Sequence, residues 1–208
     1  MPPPPLSSLP FGDLLARVAA KTPAPGGGAV ASASAALAAA LARMVVAYSL
    51  GKKSLADHQP DLAKADAALV RAGEMLLTLA DEDAAAYEVL NGLSRLPEGD
   101  PRRADLPAAQ LAASRPPLAV IAACADLLRL FERLAPITNR HLHSDLAIAA
   151  VLAESAARAS LWNVTVNAAT LDERTRREIE KQANASLADA KERQSHVERI
   201  CNKSEPAT

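Results

Sequence analysis

Residues 29–50 run without a proline or a glycine, and ten of these 22 residues are alanine. Alanine is the strongest helix former, and Leu37, Leu41, Met44, Val45 and Tyr48 recur through the stretch at helical spacing. The same bias runs through the chain, with 48 alanines among 208 residues and Phe11, Tyr48, Tyr87, Phe131 and Trp162 as the only aromatics. A sequence this poor in aromatic and β-branched residues is ill suited to a sandwich or a barrel. It predicts an all-α fold: a single-domain bundle of about six to seven helices built on leucine and alanine. The stretch is also the one membrane-span candidate. It carries Ser32, Ser34 and Arg43 and is mostly alanine, which is barely hydrophobic, so it is expected to be a buried helix.

Charge and cysteine narrow the function. Twenty-three basic against 24 acidic residues leave a net charge of −1. No bulk attraction to nucleic acid or to an anionic membrane follows. Cys124 and Cys201 cannot build a disulfide scaffold or a cysteine zinc site, and they suit a reducing cytoplasm. The proline-rich start has no basic and apolar signal-peptide pattern. Residues 1–10 are expected to be a flexible lead-in, 11–201 the helical domain, and 202–208 a disordered tail.

Prolines and glycines place the helix ends. A short amphipathic helix over 11–20 precedes the loop Pro23-Ala-Pro-Gly-Gly-Gly28, and the alanine-rich helix closes near Gly51. The next helix starts near Pro60 and runs to about residue 90. A polar connection over 91–107 follows, then a short helix over 108–114. Pro116-Pro117 is expected to break the chain and start another helix, which runs to about residue 134. After a polar loop at 138–143, Ser144 or Asp145 should cap a helix running to about residue 168. Asp172 should cap a last charged helix over 173–200.

Several polar residues are out of place in this pattern. Leu62, Leu69, Leu76 and Leu90 are spaced by sevens with one member missing, and that member is Asp83. A carboxylate on an apolar stripe, beside Asp81 and Glu82, should have a raised pKa suited to proton transfer; alternatively the stripe turns and leaves it at an edge beside Tyr87. Positions 145, 149, 152, 156, 160, 163 and 167 share one helical face and read Asp, Ala, Leu, Ala, Ser, Asn, Asn. Asn163 and Asn167 offer amides to a flat heterocycle, or serve as polar links between helices; Asp145 either faces the same cleft or only caps its helix. Gly26, Gly27 and Gly28 precede a helix N-terminus that suits a carboxylate or phosphate, or else supply positive φ to a turn. Lys52 and Lys53 either complement a helix dipole or hold an anionic tail. His141 and His143, at i and i+2 with no third ligand nearby, argue against a metal.

Five segments in order resemble the cyclodeaminase/cyclohydrolase family, which includes the C-terminal domain of formimidoyltransferase-cyclodeaminase and stand-alone methenyltetrahydrofolate cyclohydrolases. They are Thr22-Pro-Ala-Pro-Gly-Gly-Gly-Ala with Gly51-Lys-Lys, Asp81-Glu-Asp-Ala-Ala-Ala-Tyr87, Arg115-Pro-Pro-Leu118, Asn139 through Ser144-Asp145, and Asn163-Val-Thr-Val-Asn167. Thr138 stands where the family usually has glycine. The resemblance implies a cytoplasmic all-helical homodimer acting on a tetrahydrofolate one-carbon adduct, with no metal. The activity it implies is hydrolysis of 5,10-methenyltetrahydrofolate to 10-formyltetrahydrofolate. The alternatives are formimidoyltetrahydrofolate cyclodeamination with release of ammonia, and a non-catalytic or repurposed small-molecule-binding dimer. Asp83 and Asp145 would be the proton-transferring carboxylates. Asn139, Asn163 and Asn167 would bind the pterin or the bridge, with Ser144 and Tyr87 beside them. The glycine loop and Lys53 would take the glutamate carboxylates. The scarcity of aromatics predicts little ring stacking, with Tyr87 or Tyr48 the only ring nearby.

Overall fold

A computed structural model of the chain describes residues 4–203. The remainder of the expected lead-in (1–3) and tail (204–208) lies outside the described residues. Six α-helices and no strand are present among the described residues: α1 (Phe11–Val18), α2 (Gly27–Ala47), α3 (Gln59–Ser94), α4 (Leu106–Leu134), α5 (His143–Ala168) and α6 (Glu173–Asn202). The expected all-α bundle is thus the observed one. Helix α4 touches α2, α3, α5 and α6, and α2 packs between α3 and α5.

The core explains the alanine excess. Ala35, Ala38, Ala39 and Ala42 of α2 are fully buried, as are Ala149, Ala150, Ala153 and Ala157 of α5. Small side chains let helix axes approach closely. Larger groups fill the ends and centre: Leu62, Leu69 and Leu76 from α3 with Leu128, Phe131 and Leu134 from α4. Each such buried side chain contributes about 1.5–3 kcal/mol of transfer free energy. The Ser32 hydroxyl donates to the Leu76 carbonyl at 2.7 Å, tying α2 to α3 where no water reaches.

Two expectations need correction. Pro116 and Pro117 do not break the chain; they sit inside the continuous helix α4. Proline at 117 deprives the Ala113 carbonyl of its helical donor. The Asn167 side-chain amide of α5 takes that place, donating to the Ala113 oxygen at 2.7 Å. Neither Ser144 nor Asp145 caps α5: the helix begins at His143, no side chain caps it, and Asp145 lies in its first turn. Thr138 meets no conformational demand for glycine. It is extended at φ −103°, and its hydroxyl donates to the Leu134 carbonyl.

Helix α2 is long and apolar enough to cross a membrane by length and composition alone. Eleven of its 21 residues are buried against its neighbours. Its outer face is nevertheless apolar and exposed, with Val30, Leu37 and Tyr48 in a stripe; on neighbouring α5, Ile148, Val151 and Val166 are also exposed. Helix α1 has apolar Phe11, Leu15 and Val18 on its surface and no buried residue.

Candidate functional site

The N-terminus of α2, the last third of α3 and the C-terminal end of α5 enclose a cleft of about 330 Å³. Its walls carry Gly26, Gly27 and Gly28, then Asp83 and Tyr87, then Trp162, Asn163 and Asn167. Seven of the sequence-predicted site residues therefore meet in one place.

Asp83 is the centre of it. The Ala29 backbone N–H donates to its carboxylate, so an anion from α3 sits on the N-terminus of α2. That helix has no side-chain cap of its own, and its orphan donors and dipole favour such an anion. Burial pushes the Asp83 carboxyl above its ordinary value, and the Ala29 N–H partly offsets this. Both follow from the missing leucine of α3: the heptad position is turned inward, at the point where the core gives way to the cleft.

The glycines have different jobs from those expected. None of the three has positive φ, so no turn requires them. Gly28 is required by close approach: a Cβ there would lie 2.2 Å from Asp83 Oδ1 and 2.4 Å from Cγ and Oδ2. At Gly27 a Cβ would rest at ordinary contact, 3.6 Å from Asn163 Oδ1, and at Gly26 it would meet nothing within 4 Å. The N-terminus also carries the Asp83 carboxylate, bonded from the Ala29 N–H.

The two asparagines divide the roles foreseen for them. Asn167 is the interhelical link, its amide nitrogen committed to Ala113, with its carbonyl oxygen left for the cleft. Asn163 bonds only to the carbonyl of Ala159 one turn back, at a long 3.4 Å, and is the freer amide.

Lys53, Asn139, Ser144 and Asp145 are not in this cleft. Asn139 lies at the opposite end of α2, where its N–H donates to the Ser49 hydroxyl at 2.9 Å and its side chain accepts from His141 N. Lys53 opens the 3₁₀ turn just beyond that end, and Ser144 and Asp145 start α5 beside it. Helix α2 has 21 residues, so about 30 Å separates the two groups. Tyr48 belongs to this far end as well. His143 is buried and His141 exposed, so they do not converge. Among the described residues no three His, Cys, Asp or Glu side chains gather as a metal site would.

Sequence reasoning missed Trp162. The predicted helix contains it, but the seven-position face that predicts the cleft passes through Asn163 and leaves Trp162 one step to the side.

Comparison with known proteins agrees with this architecture. The family description "Formiminotransferase-cyclodeaminase" matches residues 10–185. A methenyltetrahydrofolate cyclohydrolase of Methylorubrum extorquens is 32% identical over 162 residues, covering 76% of this chain and 78% of that protein. The pig formimidoyltransferase-cyclodeaminase is 29% identical over 188 residues, 88% of this chain, which spans only 35% of that longer enzyme. The crystal structure of a formiminotetrahydrofolate cyclodeaminase from Thermotoga maritima superposes with a TM-score of 0.88 at 29% identity, covering 95% of this chain and 98% of that one.

Proposed function

The chain belongs to the formiminotransferase-cyclodeaminase family, and from that premise we propose that it is a folate one-carbon enzyme that hydrolyses 5,10-methenyltetrahydrofolate to 10-formyltetrahydrofolate. The observation that carries this reading is the half-buried Asp83 carboxylate fixed over Gly28 in a cleft walled by amides. The methenyl carbon bridges two folate nitrogens and shares their positive charge. A carboxylate beside it stabilises that cation in a site of reduced dielectric. Asp83 takes a proton as water adds to the carbon, giving a neutral tetrahedral intermediate. It returns that proton to the departing nitrogen while the hydroxyl becomes the formyl carbonyl and releases its own proton to solvent. Burial raises the Asp83 pKa, which suits the same carboxyl to take up the proton and to return it. Asn163, with the Asn167 carbonyl oxygen, orients the pterin.

A second reading is favoured by the cyclodeaminase that superposes over nearly the whole chain. There the second folate nitrogen attacks a formimidoyl carbon and ammonia leaves with the proton Asp83 carries. Turnover of both folates by wild type and Asp83→Asn tests the assignment. Asp83→Asn should lose at least about a hundredfold in kcat. A folded Asp83→Asn with normal turnover sinks the role, and a wild type inert to both folates sinks the function.

We propose further that two copies pair across the exposed face of α2 and α5. Two helical stripes about 30 Å long and 10–12 Å wide offer roughly 600–700 Å². With α1 this approaches the ~800 Å² per partner of a standard interface. A two-fold axis crossing α2 near its middle brings the far end of one copy beside the cleft of the other. Lys53, Asn139, Ser144 and Asp145 would then serve the partner's cleft, with Lys53 taking the anionic tail. The two free, buried cysteines support a cytoplasmic setting.

A further inference from the structure

Trp162 is the only tryptophan of the chain, and 73% of it is exposed. So large an apolar ring left in water is unusual unless something covers it. It lines the Asp83 cleft from α5, and Tyr87, 42% exposed, lines the same cleft from α3. Tyr87 stands four residues, one helical turn, beyond Asp83, and Trp162 immediately precedes Asn163. Two exposed aromatic residues thus line the carboxylate's cleft from different helices. Gly28, which has no side chain, and Ala84 line the same cleft and add no bulk to it.

We propose that Trp162 and Tyr87 form the two walls of a slot for a planar, positively charged heterocycle. On the folate reading above, which this inference rests on, that is the pterin with its amidinium bridge. An indole face is the best of the side-chain partners for a cation, and tyrosine the next. The charge is met by π faces at its sides and by Asp83 at its edge. Trp162 lies outside the Asn163-Val-Thr-Val-Asn167 segment that carries the family resemblance, so its wall of the slot is assigned from this chain's geometry, whereas Tyr87 closes the 81–87 segment that shares in that resemblance. It also reverses the expectation, drawn from composition, of a site with little stacking. Two of the chain's five aromatics line this cleft.

The test is the KM and kcat of Trp162→Ala and Trp162→Phe with methenyltetrahydrofolate, together with the mass of each variant in solution. Trp162→Ala should raise KM about five- to thirtyfold with kcat within about twofold. Trp162→Phe should recover most of that loss, because a ring remains. An unchanged KM in Trp162→Ala overturns the slot. So does a phenylalanine variant no better than alanine. A KM defect that appears only with a fall in assembly mass also overturns it, because the indole then holds a second copy instead. Trp162 fluorescence adds a readout independent of turnover: emission that shifts on saturation with methenyltetrahydrofolate supports the slot, and unchanged emission overturns it. If the wild type binds folate with that shift but turns over neither substrate, the slot stands and the catalytic reading falls. If the wild type is active and Trp162→Ala is indistinguishable from it, the reverse holds.

Discussion

Gly28→Ala is the sharpest perturbation of the site because it adds one methyl group and no charge. The added carbon would stand 2.2 Å from Asp83 Oδ1 and 2.4 Å from Oδ2. Real Cβ atoms essentially never approach below 3.0 Å, so the nearer oxygen must retreat by at least 0.8 Å. Spinning the carboxylate about its own axis does not help, since Cγ lies on that axis and is itself only 2.4 Å away. The side chain must swing about χ1, which breaks its bond from the Ala29 N–H. Misplacing a catalytic group by about 1 Å costs on the order of a hundredfold in rate. Stability moves far less. A charge-assisted hydrogen bond worth about 1.5–3 kcal/mol is lost, against a gain of up to about 1 kcal/mol from alanine in the helix. The net cost is therefore about 0.5–3 kcal/mol. The assay is kcat/KM with methenyltetrahydrofolate alongside thermal unfolding, with Gly27→Ala as the control. At Gly27 the same methyl group meets Asn163 at ordinary contact distance, so activity should stay within about twofold. A fully active Gly28→Ala would refute the reasoning, as would a Gly27→Ala equally disabled.

Three further outcomes are expected. Mixing Asp83→Asn with Asp145→Asn, each inactive alone, should restore about a quarter of wild-type activity. Half of the exchanged dimers are mixed, and each carries one intact cleft of two; a mixture no better than its components would confine each site to one chain. Asn167→Ala should cost about 1–3 kcal/mol by orphaning the Ala113 carbonyl, and much less in a Pro117→Ala background, where the helix regains its own donor; equal costs in denaturant unfolding would contradict that account. The raised Asp83 pKa sets a pH dependence: the folded state holds this proton more tightly than the unfolded chain, whose value is near the ordinary 3.8. Its contribution is full below that value and is lost as pH rises through the raised one, so Asp83→Asn should gain on wild type in melting temperature across that window. A gap that is flat, or that narrows, would show that the Ala29 bond outweighs burial.

Helix type was legible because alanine decides it locally, and Asp83 was legible because a heptad of leucines makes an exception visible. The continuity of α4 was not. Two adjacent prolines read locally as a stop, and the group that relieves them, the Asn167 amide, lies fifty residues away in sequence. Of the two reasons the sequence offers for Gly28, positive φ is not the one the structure uses. A glycine run suggests a turn, whereas the real constraint is a carboxylate arriving from α3, and no single-residue preference encodes that. Trp162 is hidden by helical phase: one step from Asn163 is a rotation of about 100°, yet both line the cleft.

The separation of Lys53 from Asp83 is different, because the sequence did contain it. Gly28 and Lys53 are 25 residues apart, most of them helical, and a helix rises 1.5 Å per residue. Residues joined by that rod cannot share a 330 Å³ cleft within one chain. The segments that resemble one enzyme family are thus divided between the two ends of the rod. The rod leaves two possibilities. Either the far cluster of Lys53, Asn139 and Asp145 serves structure alone, or a second copy supplies it. The apolar stripe of Val30, Leu37 and Tyr48 runs the length of that rod and remains exposed, which favours the second copy. The stripe and the split site are then one feature: an antiparallel pairing that buries the stripe carries each far end to the other's cleft. Leu37→Glu, placed near the middle of the stripe, should therefore abolish pairing and turnover together while leaving Asp83 and its walls intact. Turnover surviving in a monomeric Leu37→Glu protein would assign the far cluster to structure.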